Sequence, residues 1–239
     1  MISELAFARD YSSLWRVLTP TMEGAIRRLN RGAYDRDFEP IVEATSANRR
    51  AFVNEVAFEA LRIFVSAARQ GSGVRISEGL IQQAAPHVRT QATLRRRDGD
   101  YVSDLSDSEC ADALEQLRRL TLLLFARCAP KDVWIDPPFK GCGIVDACFG
   151  DAITQSELVE VKAGDRLFRA IDIRQAITYL ALNHVSGQYA IDRVVLANPR
   201  IGISRSWEVE ELCFEVSGQD RARLLDQVAY ALSAGDVSR

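Results

Sequence analysis

The sequence predicts an α/β protein with a helical N-terminal region, and three observations carry that reading. Apolar residues recur at three- and four-residue steps through much of the first 130 positions. From Val133 onward short β-rich runs bounded by turn residues take over. A helical stretch then lies between two of those runs, the alternation from which layered α/β cores are built.

The elements follow in order. Over 49–69, Phe52, Val53, Val56, Ala60, Phe64 and Ala67 line one face while Arg50, Asn54, Glu55, Glu59 and Arg62 fall elsewhere, and Gly71-Ser72-Gly73 ends the helix. A second helix is predicted over 106–127, opened by the capping box Ser106-x-x-Glu109. Between them, 87–100 holds Arg89, Arg95, Arg96 and Arg97 before an Asp98-Gly99 turn; this reads as a phosphate-contacting loop or as a solvated cluster cancelled by Asp98, Asp100 and Asp104. Strands are predicted over 133–135, 143–149, 158–163, 191–197 and 209–216. A helix is predicted over 173–183 with Asp172 as N-cap, and a closing helix over 220–232 capped by Ser217.

Composition bounds the function. Of 239 residues, 47% are apolar and 26% charged, which excludes a disordered chain. With 30 basic against 33 acidic residues the net charge is −3, so no global field draws the protein to polyanions and any such site is local. The acidic excess lies after residue 130, where 16 acidic groups meet 12 basic ones. Only Lys131, Lys140 and Lys162 are lysines, against 27 arginines. Five cysteines without a C-x-x-C pair argue for reduced thiols rather than a disulfide framework or zinc ribbon. There is no phosphate-binding Gly-rich motif, no apolar run long enough for a membrane span and no signal-peptide pattern at Met1-Ile2-Ser3-Glu4, so a cytoplasmic protein without its own nucleotide motor is expected.

The chemistry is predicted at Asp146, Glu160 and Lys162. In Leu158-Val159-Glu160-Val161-Lys162 alternate side chains share a face, so Glu160 and Lys162 point the same way. Thirteen residues separate Asp146 from Glu160, enough for Asp146 to stand on a neighbouring strand. Two carboxylates converging in this way suit Mg²⁺, with Mn²⁺ as a substitute, and a bound divalent ion polarises a phosphate and acidifies water. Lys162 could orient or deprotonate that water or stabilise phosphoryl charge; arginine is a poor base, which gives a lysine in so arginine-rich a chain its weight. Glu and Lys two apart are also what an ordinary amphipathic edge strand looks like. On the following helix Gln175 and Tyr179 are four apart and share a face.

An Asp, a Glu-x-Lys strand and a Gln-x-x-x-Tyr helix in this order resemble the PD-(D/E)XK nuclease superfamily, and within it the RecB-like branch. The resemblance covers about residues 106–200, on Gly143-Ile-Val-Asp146, Leu158-Val-Glu160-Val-Lys162 and Ile173-Arg-Gln175-Ala-Ile-Thr-Tyr179. It implies a restriction-endonuclease-like core, a central mixed sheet flanked by helices, over 106–239, with 1–105 a helical region for partner docking, dimerisation or target recognition. It makes Asp146 and Glu160 metal ligands, adds the backbone carbonyl of Val161, and makes Lys162, Gln175 and Tyr179 catalytic. It also asks for an acid on the helix before the sheet, for which Glu115 is the first candidate and Glu109 the second. Val145 stands where the family name has proline, and the branch's four-cysteine iron-sulfur set is not matched. Arg166, Arg169 and Arg174 become candidate phosphate contacts. The implied function is Mg²⁺-dependent hydrolysis of DNA in restriction, phage defence or repair, alongside a separate NTPase or sensor protein or as a homo-oligomer. RNA cleavage would use the same site, and a non-catalytic scaffold is the alternative of another class.

Overall fold

The computed structural model describes residues 1–42, 45–94 and 103–234. Nine α-helices and eight strands are found among them. The helices are α1 (Glu4–Asp10), α2 (Ser12–Leu18), α3 (Met22–Asn30), α4 (Arg50–Arg69), α5 (Glu78–Leu94), α6 (Asp107–Phe125), α7 (Ala170–Ser186), α8 (Val209–Ser217) and α9 (Arg221–Ala234). The strands are β1 (Asp35–Arg36), β2 (Val133–Ile135), β3 (Pro138–Phe139), β4 (Cys148–Phe149), β5 (Ala152–Thr154), β6 (Glu157–Val161), β7 (Arg193–Asn198) and β8 (Ile203–Glu208). Six strands form one mixed sheet in the order β1-β8-β7-β6-β5-β2, in which only β6 and β7 run parallel, joined across α7. β3 and β4 pair apart from it.

Helices cover both faces. On one, α1–α3, α7, α8 and α9 pack over Ile153, Leu158, Val194 and Leu196 in a core that contains Phe7, Trp15, Phe168 and Leu180. On the other, α4, α5 and α6 pack over Val133, Ala152, Val159 and Val195. Successive residues of β5, β6 and β7 alternate between these cores, as a strand buried on both faces must. Neither core respects a boundary at residue 105: the first 105 residues supply α1–α5 to both faces. Residues on both sides of position 105 thus pack together in each of the two cores.

Local chemistry explains most elements. Ser106 accepts the Glu109 N–H while Glu109 Oε2 accepts the Ser106 N–H, the reciprocal cap expected for α6. Four expectations are corrected. Residues 143–149 contribute only β4, and the rest is a turn held by the Cys142–Val145 bridge. Residues 209–216 are helical: Val209, Leu212, Cys213 and Val216 are buried at helical spacing, and the partner of β7 is the preceding segment, β8. Asp172 lies inside the first turn of α7 and accepts the Arg169 N–H rather than capping from outside. α9 starts after Asp220, whose side chain accepts the Arg223 N–H, while Ser217 closes α8 by donating to the Cys213 carbonyl. Arg89 lies on α5 and pairs with Asp104; Arg95–Arg97 and the Asp98-Gly99 turn lie outside the described residues. No helix among the described residues is long and apolar enough to cross a membrane.

Candidate active site

β5 and β6 form a hairpin closed by Gln155-Ser156, with Gln155 in the left-handed region at φ 49°. Its register pairs Ala152 with Val159 and Ile153 with Leu158. Continuing that register by one residue sets Asp151, in the bend before β5, opposite Glu160, whose side chain is on the α7 face. Asp151 Oδ2 accepts the Val161 N–H at 2.6 Å, which fixes the carboxylate at the end of β6. The expected Asp146 is not there. It is exposed in the turn before β4, its own N–H donating to the Ile2 carbonyl. Because 143–149 adds no strand to the central sheet, Asp146 does not stand on a strand neighbouring Glu160.

Around Glu160 the side chains form a continuous chain of contacts. Lys162 Nζ donates to Glu160 Oε1 at 2.6 Å and to Gln175 Oε1 at 2.8 Å. Gln175 Nε2 in turn donates to the Tyr179 hydroxyl at 3.2 Å and to Glu4 Oε1 at 3.4 Å. The Tyr179 hydroxyl lies 3.0 Å from the Phe149 carbonyl and 3.3 Å from Glu4 Oε1. The structure thus brings Glu160, Lys162, Gln175 and Tyr179 together and adds Asp151 and Glu4. Glu4 enters because α1 packs against α7; no motif in the sequence marks it.

Burial dominates the electrostatics of these acids. Glu160 is 2% exposed, and its Oε2 has no hydrogen-bond partner. Burial, then the charge of Asp151, pushes the Glu160 carboxyl up to about 8 against the pull of Lys162. Burial raises Asp151 as well. For Lys162 burial works downward, but Glu160 and Asp151 outweigh it and the net direction is up, so the ammonium is retained. Burial also holds the Tyr179 phenol protonated.

A two-carboxylate site fits Mg²⁺, which keeps several waters and needs few protein ligands. The fit rests on the unpartnered Glu160 Oε2 beside Asp151; among the described residues no three His, Cys, Asp or Glu side chains form a complete cage. A cleft of about 490 Å³ between α4, α5 and the end of β6 reaches Asp151 and Val161 and is also lined by Asn54, Phe58, Arg62 and Asp136.

Other polar and aromatic residues lie elsewhere. Glu115 sits on α6, across the sheet from Glu160, and accepts from Arg119 at 2.7 Å; Glu109 is taken by its cap and by Arg49. Arg166 is committed to Asp172 through two bonds of 2.7 and 2.8 Å. Arg174 is half-buried in the field of Glu23 and Arg16, and burial pushes its guanidinium down. Arg169 is exposed at the start of α7. His184 pairs with Asp226 of α9 at 2.8 Å. Trp207 is buried, whereas Trp134 is 43% exposed with Tyr189 edge-on to it. No family model, curated protein or solved structure matches this chain, so fold and site stand on their own geometry.

Proposed function

We propose that the protein is a Mg²⁺-dependent nuclease that hydrolyses phosphodiester bonds, with DNA as the first substrate to test. The observation that carries this reading is the buried, unpartnered Glu160 Oε2 beside Asp151, one lysine and one glutamine. Asp151 and Glu160 would hold the ion, with the Val161 carbonyl adjoining them at the strand end. When bound, it supplies Lewis-acid polarisation of the phosphate and a more acidic water.

The chain's own residues supply the rest. Lys162 is kept charged by its two acidic neighbours, which favours stabilising charge on the phosphoryl oxygens over proton abstraction. Gln175 fixes where the ammonium sits by accepting from it, and its own amide is held by Tyr179 and Glu4. Tyr179, protonated throughout the working range, anchors the far end of that chain on the Phe149 carbonyl. The non-catalytic alternative requires one of the three acid and lysine positions to be displaced. Asp146 lies apart from the other two, as that alternative predicts, and the nuclease reading takes Asp151 as the second acid in its stead.

The test is cleavage of plasmid, linear and single-stranded DNA and of RNA, with Mg²⁺, Mn²⁺ or EDTA, by wild type and single variants. Glu160→Gln, Lys162→Ala and Asp151→Asn are expected to lower turnover about a hundredfold or more, while Asp146→Asn retains it. Cleavage that survives EDTA, or loss with Asp146→Asn but not Asp151→Asn, overturns the assignment. RNA cleaved in preference to DNA would change the substrate and leave the site.

A further inference from the structure

We infer that Arg200 and Asn54 are positioning residues for Lys162, acting through the backbone carbonyl of Ala163; the effect on turnover rests on the proposed active site, and the structural effect does not. Ala163 follows Lys162 at the point where the chain leaves β6. Its carbonyl accepts from Asn54 Nδ2 at 2.8 Å and from Arg200 Nε at 3.1 Å. The next carbonyl, Gly164, accepts from Asn198 Nδ2 at 2.8 Å, and the Lys162 N–H donates to the Ala197 carbonyl at 2.8 Å. The lysine's backbone is therefore held on its amino side by the β7 main chain and on its carboxyl side by side chains from other elements.

The clamp is itself buried and charged. Arg200 is 3% exposed and spends its guanidinium three ways: Nε on Ala163, Nη1 on Asp112 Oδ2 at 2.9 Å, and Nη2 on Asn54 Oδ1 at 2.8 Å. Asp112, also 3% exposed, is further held by Gln116 at 2.9 Å and Thr45 at 2.6 Å. A buried ion pair is seldom the most stabilising way to fill such a space, because desolvation offsets its attraction. Its directed bonds do supply geometry, since an Arg fork fixes several acceptors at once where an apolar side chain fixes none. Here they converge on the residue beside the lysine, and they come from α4, α6 and the turn after β7. The helical layer opposite α7 thereby sets where the lysine stands.

The experiment combines two readouts on the full chain. Selective ¹⁵N-lysine labelling gives backbone amide signals for only three lysines, assigned by Lys131→Arg and Lys140→Arg at two exposed sites. Asn54→Ala and Arg200→Lys should move the Lys162 amide and speed its hydrogen exchange while Lys131 and Lys140 stay put. Arg200→Lys keeps a charge beside Asp112 and so guards against collapse of the core. Val65→Ala, in the same helix as Asn54 but away from Ala163, is the matched destabilising control. Where wild type cleaves, Asn54→Ala and Arg200→Lys should lower kcat about tenfold to a hundredfold with KM within about twofold. A Lys162 amide unmoved in both variants, or an equal kcat loss in Val65→Ala at the same drop in Tm, overturns the inference. If wild type cleaves nothing, the proposed function fails and the amide readout alone decides the positioning.

Discussion

Glu160 occupies a costly position for a carboxylate, buried, beside Asp151, and with only one oxygen hydrogen-bonded. Its folded-state value of about 8 lies above that of an exposed glutamate, so the native state holds a proton that the unfolded chain releases. The contribution is therefore most favourable below the unfolded value and declines as pH rises toward about 8, the reverse of a salt-bridged acid. Asp151 shifts in the same direction and adds to the trend. Metal-free protein is expected to lose urea resistance between pH 5 and pH 8, and Glu160→Gln to flatten that slope. Added Mg²⁺ should raise Tm more at pH 8 than at pH 5 in wild type, because the ion competes with the protons, and should do little for Glu160→Gln. A wild-type slope indistinguishable from that of Glu160→Gln would refute the burial argument.

At the scale of elements, the hairpin β5–β6 determines the site. A register shift of one residue would turn every side chain to the other face. Tight connections fix other elements in the same way. Gly202, in the turn between β7 and β8, has φ 72°, and a Cβ there would overlap the Phe38 carbonyl. Gly187, which closes α7, has φ 61° with open space around it. Gly187→Ala is expected to cost about 1 kcal/mol, the left-handed penalty alone, and Gly202→Ala about 2 kcal/mol or more because backbone must also move. Urea denaturation of the two variants separates the contributions. Periodicity made α4, α6 and the core of α7 legible, since each carries a full apolar stripe or a cap. It failed at β8, whose Ser204-Arg205-Ser206 stretch carries no apolar alternation, and at α8, where β-prone side chains disguised helical spacing.

The whole molecule is a sheet covered on both faces, and its N-terminal third is spread over both layers. A fragment spanning 106–239 lacks α1, whose Glu4 contacts Gln175, and lacks α4 and α5, which cover Val159 and Val195. It is expected to expose that face and to show no cooperative unfolding transition in calorimetry, whereas the full chain unfolds cooperatively. A fragment that melted like the full chain would restore the two-part division. The same layering sets Glu115 apart from Glu160: α6 lies on the opposite side of the sheet, whereas α1 brings Glu4 to Gln175 and Tyr179.

By itself the sequence determined the α/β class, the main helices, and the pairing of Glu160 with Lys162 on one strand face and of Gln175 with Tyr179 on one helix face, because these follow from periods of two and of 3.6 within short segments. Only the tertiary structure decided that Asp151 stands at the end of β6, that Glu4 meets Gln175 and Tyr179, and that Arg200 and Asn54 hold the Ala163 carbonyl. Those facts depend on register and on packing between segments distant in sequence. The spacing of residues along one strand cannot encode where another element will meet it.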